Sequence, residues 1–236
     1  MGILKKFIHK IKIIFFTAVL GMMATLSVAQ HSTFPIGEKV SYNIKNLGIK
    51  SGEASITYEG PTTIKGRDVI LIVFVSDAFN FYDEEKLYLD PETFCPVVVQ
   101  RDLNIFGKKE KIEEEYFHDQ GQIKITKHAG GKVSTQVIEK KGPIDNIYGF
   151  IYRYRQDGKF QIGEELSLNL PTKDVTVKLI KRKKMRVAGE VRNTYYMEDD
   201  SRDFRVWFDD GPEKIPVRID GAMGLTKASL ILREYE

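Results

Sequence analysis

The sequence predicts an all-β fold with one accessory helix, arranged as a curved antiparallel sheet that forms a half-barrel or an open barrel. Three observations carry this reading. Apolar and polar residues alternate at period two in many segments, turn residues separate those segments, and one stretch repeats its apolar residues at three and four positions. The composition agrees: 236 residues with 42% hydrophobic, 29% charged and 11% aromatic side chains are globular in class, neither collagenous nor disordered.

The first element is a leader. Lys5, Lys6, Lys10 and Lys12 precede an apolar stretch from Ile13 to Val28, and the small residues Ser27 and Ala29 follow the pattern of a processing site. This is the anatomy of a secretory signal peptide over residues 1–29, cleaved after Ala29. Its removal leaves residues 30–236, with 32 basic and 33 acidic side chains, so the net charge moves from +3 to −1. A nucleic-acid partner inferred from basicity thereby loses its support. The expectation is an exported, periplasmic protein with no stable membrane anchor after cleavage. Cys95 is the one cysteine, so no intramolecular disulfide forms, and it reads as a small buried apolar residue.

Strands follow in order. Val40, Tyr42 and Ile44 alternate with polar residues, as do Ala54, Ile56 and Tyr58. Val69 to Val75 is continuously apolar and predicts a strand buried on both faces. Gly66 marks a turn before it, and Asp90-Pro91-Glu92 marks another further on. Ala129-Gly130-Gly131 links Ile123–His128 to Lys132–Glu139 as a hairpin, because two glycines supply positive φ. Val175, Val177 and Leu179 alternate again, and Asp209-Asp210-Gly211-Pro212 forms a late turn.

Ile144, Ile147, Tyr148, Ile151 and Tyr152 have helical spacing and predict an amphipathic helix over 144–156. Pro143 and Asp145 suit its start, Arg153 and Arg155 its last turn, and Gly158 its stop. An internal echo adds a second level of order. Phe34–Tyr42 and Phe160–Leu168 share five of nine residues: Phe, Ile, Gly, Glu and Ser. A strand, an Asp turn and a Pro-Val strand recur around Leu87–Val97 and Arg205–Val217. The expected organisation is a single β-rich domain over 30–236. Its two related β units, about 34–118 and 160–236, are bridged by a hairpin and the helix.

Taken together, Phe34–Tyr42, Ser51-Gly52-Glu53-Ala54, the Asp145–Arg153 stretch, Val206–Asp209 and Lys214–Val217 resemble a family of exported Gram-negative bacterial proteins catalogued only as a domain of unknown function. The resemblance spans nearly the whole mature chain. It implies an exported β-rich domain and carries over no catalytic residues.

The chemistry-bearing residues point away from catalysis. His31, His118 and His128 match no zinc spacing, so no metal is expected. Ser134 and Ser229 have no nucleophile motif, there is no phosphate-binding or dinucleotide loop, and no cofactor is expected. The acidic runs Asp83-Glu84-Glu85, Glu113-Glu114-Glu115 and Glu198-Asp199-Asp200 read as solvated faces. Paired carboxylates acting on a glycan are the catalytic alternative. Lys181–Lys184 with Arg186 reads as an exposed edge, with an anionic surface as its functional alternative.

Strand and helix aromatics are the remaining signal: Tyr42, Tyr58, Tyr148, Tyr152 and Trp207 are the expected ligand-lining residues. The functional expectation is a non-enzymatic envelope protein that binds or carries an apolar or amphipathic ligand, a lipid or a glycan. The alternatives are a structural or interaction module that binds an envelope protein through a sheet edge or the helix, and a carboxylate-based glycan hydrolase.

Overall fold

The computed structural model describes residues 34–221 and 228–236; the leader and His31 lie outside them. Eight strands form a meander: β1 (Lys39–Asn46), β2 (Ile49–Ile64), β3 (Arg67–Ala78), β4 (Phe81–Leu89), β5 (Pro96–Ile105), β6 (Lys108–Phe117), β7 (Gln122–Ala129) and β8 (Lys132–Glu139). The helix α1 (Ile147–Asp157) follows. Then come β9 (Glu165–Asn169), β10 (Asp174–Val187), β11 (Glu190–Asp199), β12 (Arg205–Asp209), β13 (Pro216–Asp220) and β14 (Ser229–Tyr235). All fourteen strands join one curved antiparallel sheet in the order β8-β7-β6-β5-β4-β3-β2-β1-β14-β13-β12-β11-β10-β9. The sheet is unclosed, with β8 and β9 as its edges.

Period-two alternation builds the core. Ile44, Leu230, Ile219, Val206, Met197 and Leu179 stand side by side across six strands, and all are buried on the face that meets α1. The expectation for Val69–Val75 is corrected in part. Ile70, Ile72 and Phe74 are buried on the core face, while Leu71, Val73 and Val75 are only half-buried on the other. Val69 packs there with Val97 and Val98 in a small satellite cluster.

The helix begins three residues later than its spacing suggests. Asn146 caps it, its Oδ1 accepting from the Tyr148 N–H at 2.8 Å and the Gly149 N–H at 3.4 Å. Asp145 is instead extended alongside β9: its N–H donates to the Asn169 carbonyl, and its Oδ2 accepts from the Asn169 N–H, both at 2.8 Å. Ile144 leaves the helix for a separate cluster with Val99, Tyr116 and Ile123. The buried surface of α1 is wider than the expected Ile/Tyr face and includes Phe150, Tyr154 and Arg155. Gly149 is required where it stands, since a Cβ would lie 2.4 Å from the Phe94 carbonyl oxygen.

The two Phe-x-Ile-Gly-Glu openings adopt the same turn. Gly37 and Gly163 have φ of 87° and 90°, and each donates its N–H to a carbonyl on the second strand that follows it, Tyr58 of β2 and Leu179 of β10, at 2.8 Å. Each opening also sends its glutamate to the last turn of α1. Arg155 Nη2 donates to Glu38 Oε1 at 2.5 Å in a fully buried pair, and the Tyr154 hydroxyl donates to Glu164 Oε2 at 2.8 Å. The helix is thus held between both halves of the sheet.

Candidate functional site

Tyr42, Tyr58, Tyr148 and Tyr152 come together in the core. Tyr58 stacks on Tyr152 with centroids 5.9 Å apart, Tyr148 stacks on Phe74 at 4.6 Å, and the Tyr42 hydroxyl donates to the Pro216 carbonyl at 2.9 Å. Burial pushes the Tyr42, Tyr148 and Tyr152 hydroxyls above the ordinary tyrosine range, so they stay neutral. All four are packed between sheet and helix, with at most 2% of their surface exposed. Trp207 is not with them. Phe208 and Val206 take the core side of β12, so alternation sends Trp207 to the outer face. There it packs on Tyr196 at 4.8 Å beneath Lys183 and Arg218.

The acidic runs split by the same alternation. Glu84, Glu113 and Glu115 face outward: Glu84 meets Lys86 along β4, Glu113 meets Gln100 and Glu115 meets Lys124 across neighbouring strands, and Lys65 of the β2–β3 turn reaches both Glu113 and Glu115. Asp83, Glu85 and Glu114 face inward near the start of α1. Both Asp83 oxygens accept from Arg101, at 2.7 and 2.5 Å, and the Tyr116 hydroxyl donates to Glu114 at 2.5 Å. Glu85 has a weaker partner, Asn146 Nδ2 at 3.4 Å. Burial pushes its carboxyl up to about 7, against the pull of Arg101 and with help from the Asp83 and Glu114 charges. This network can hold a proton near neutral pH, while Asp83 is spent on its guanidinium and only 3% exposed.

His118 is a structural latch rather than a surface residue. Its Nδ1 accepts from the Ile144 N–H at 3.2 Å, which leaves Nε2 to donate to the Pro96 carbonyl at 2.8 Å. His128 is exposed. Lys181–Lys184 lie at the sheet margin, because β9 covers β10 only from Asp174 to Lys178. Arg182 pairs with Asp210 and lies over Tyr195, and Lys183 lies over Tyr196 and Trp207. Among the described residues no His, Cys, Asp and Glu group could hold a metal ion.

The surface that stands apart is one end of the sheet. In an antiparallel meander alternate turns share an end, so the β1–β2, β3–β4, β5–β6 and β7–β8 turns lie together. The Phe106 N–H donates to the Asn80 carbonyl at 2.8 Å and ties two of them directly. These turns project Leu47, Ile49, Phe79 and Phe106, which are 96%, 75%, 87% and 76% exposed. The segments 45–50, 78–81, 105–109 and 129–132 also contain Lys45, Lys50, Lys108, Lys109 and Lys132 and no acid. Lys50 pairs with Glu53, and among the described residues Lys45, Lys108, Lys109 and Lys132 pair with none. Asp77 is an exposed acid near this rim. Leu47 and Phe106 have φ of 49° and 51°, each followed by a glycine at positive φ. Such two-residue turns favour Asn, Asp or Gly at the first position, so an exposed leucine or phenylalanine there serves neither the turn nor the core.

The sequence reading missed these tips because it sought aromatics within strands. The available signal was Leu47-Gly48 and Phe106-Gly107: an apolar residue before glycine, between two alternating segments, sits at a hairpin tip and cannot reach a core.

The family described as protein of unknown function (DUF3108) matches residues 39–227. No curated protein matches the chain. Among solved structures, the beta-barrel-like protein of domain of unknown function DUF1849 from Brucella abortus is 10% identical, with a TM-score of 0.49, over 85% of this chain and 97% of that one. A candidate lipoprotein from Parabacteroides distasonis ATCC 8503 is 7% identical, with a TM-score of 0.28, over 86% and 96%.

Proposed function

The chain belongs to the family of proteins of unknown function DUF3108, and from that premise we propose that it is an exported, non-enzymatic envelope protein that engages an anionic lipid surface through the tip end of its sheet. The single observation that carries this reading is the set of exposed Leu47, Ile49, Phe79 and Phe106 on neighbouring turns that bear five lysines and no acid. Export rests on the leader pattern of residues 1–29. The non-enzymatic part rests on Asp83, whose two oxygens are both held by Arg101. The amphipathic ligand is then a surface met at the tips rather than a molecule lodged among Tyr42, Tyr58, Tyr148 and Tyr152.

Magnitudes favour a combined mechanism. Full burial of one leucine or phenylalanine is worth roughly 1.5–3 kcal/mol, and a lysine near an anionic bilayer about 1 kcal/mol. Shallow insertion of a few tips alone gives marginal binding, whereas tips and lysines together give a stable, reversible attachment.

The test is sedimentation of the protein, isolated from the envelope fraction as the cell processes it, with vesicles of phosphatidylcholine alone or mixed with phosphatidylglycerol. The reading predicts co-sedimentation with the mixed vesicles and little with the neutral ones. Equal binding to both, or to neither, contradicts it.

A further inference from the structure

We infer that β8 is the pairing edge for a second copy of this chain, joined across a two-fold axis into one continuous sheet. This rests on the edge itself and is independent of lipid docking.

The two edges of the sheet are finished differently. At β9 the chain covers the end of its own edge: Asp145 exchanges hydrogen bonds with Asn169, whose side chain also donates to the Lys141 and Pro143 carbonyls. Beyond β9, the uncovered stretch of β10 carries Lys181, Arg182, Lys183 and Lys184, and charges of this kind discourage strand addition. At β8, Lys132 to Val137 are all exposed, and among the described residues no strand pairs with its outer side. From Val133 to Ile138 this edge has no charge, proline, glycine or register shift, and it includes Val133, Thr135, Val137 and Ile138, residues that favour strands.

The sequence of the edge matches itself. Val133-Ser134-Thr135-Gln136-Val137 reads nearly the same in both directions about Thr135. The β7–β8 turn has two residues and closes on the Ala129–Lys132 pair, so that pair, Lys127–Ser134 and Ile125–Gln136 are the hydrogen-bonded pairs of the hairpin. The backbone N–H and C=O groups of Val133, Thr135 and Val137 therefore point away from β7. A two-fold axis at Thr135 sets Thr135 against Thr135 and Val133 against Val137 of the second copy, with those groups in register to bond. Both valines, 63% and 53% exposed, then gain β-branched cross-strand neighbours. The contact is isologous and uses the β8 edge of both copies, so assembly stops at two copies. A single strand pair is small for an interface, so the dimer is weak and reversible.

The test is sedimentation equilibrium of the protein as isolated from the envelope fraction, across a wide concentration range, alongside Thr135→Pro and Val137→Lys. Thr135→Pro removes an outward N–H and leaves the β7 ladder its donors. Val137→Lys places a charge on the edge and keeps every backbone donor. The inference predicts a monomer–dimer equilibrium that both variants weaken at least tenfold, with circular dichroism unchanged. A monomer at every concentration, assemblies larger than two, or a dimer of unchanged affinity in Val137→Lys would overturn it.

Discussion

In the β1–β8 half of the sheet, the turn segments at the end where Leu47, Phe79 and Phe106 stand contain five lysines and no acid. At the opposite end, Asp90, Glu92 and Asp119 outnumber Lys65 and Arg67 in the segments 64–67, 90–95 and 118–121. Within those segments Phe94 is buried and Ile64 half-buried, and Ile36 and Phe117 are the exposed apolar residues near this end. Lys65 there is held by Glu113 and Glu115 at 2.9 and 2.6 Å, whereas Lys108 and Lys109 at the tip end have no such partner among the described residues. Yet the backbones are alike. Leu47–Gly48, Phe106–Gly107 and Lys65–Gly66 are all two-residue turns with φ near 50° and then near 80°. The same turn is therefore made with lysine at one end and with exposed leucine or phenylalanine at the other. Folding does not demand the apolar choice, and the proposed docking surface supplies a reason for it.

Three changes break that difference, and one control sharpens it. The largest effect is expected from Leu47→Asp, Phe79→Asp and Phe106→Asp combined. Losing three inserting side chains should weaken binding to phosphatidylglycerol-containing vesicles by about a hundredfold or more. The melting temperature should hardly change, because none of the three packs in the core. Next comes salt. Raising ionic strength toward 1 M shortens the screening length to about 3 Å and should lower vesicle affinity at least about tenfold while leaving the apolar contribution in place.

A smaller effect, of opposite sign for stability, is expected from Leu47→Asn and Phe106→Asn. Asparagine tolerates the left-handed region better, so each variant should gain about 0.5–1 kcal/mol in denaturant unfolding and still lose vesicle affinity. Greater stability with weaker binding is the signature of side chains kept for function. The smallest effect should come from Lys65→Ala at the opposite end. Removing an exposed ion-pair partner changes stability by about 0.5 kcal/mol at most and leaves vesicle binding as it was.

Much of the fold was legible because strand alternation is a strong local pattern. The Ala129-Gly130-Gly131 hairpin, the Asp90 turn and the apolar faces of β1 and β2 follow directly from it. The start of α1 was not legible, because Asp145 spends its backbone and side chain on Asn169, a residue 24 positions away. Helix propensity cannot register such a tertiary competitor. Four of the five expected ligand-lining residues come together in the core, and Trp207 faces away from them for a related reason. Trp207 and Phe208 are adjacent, so one faces in and one out, and period two does not say which. The buried tyrosines were visible as aromatics, but whether they line a cleft or pack on a helix depends on where α1 sits. Residues at turn tips read poorly, since strand and helix patterns are silent about what a loop projects.

The most direct measurement compares the two ends in one experiment. A single thiol is introduced at Asn46→Cys, beside Leu47, or at Arg67→Cys, at the opposite end; both positions are exposed, while Cys95 is buried. Each is labelled with a fluorophore and mixed with phosphatidylglycerol-containing vesicles that carry brominated lipid chains. The account predicts strong quenching of the label at position 46 and little at position 67. Equal quenching at both ends, stronger quenching at 67, or none at either would contradict docking through the tip end.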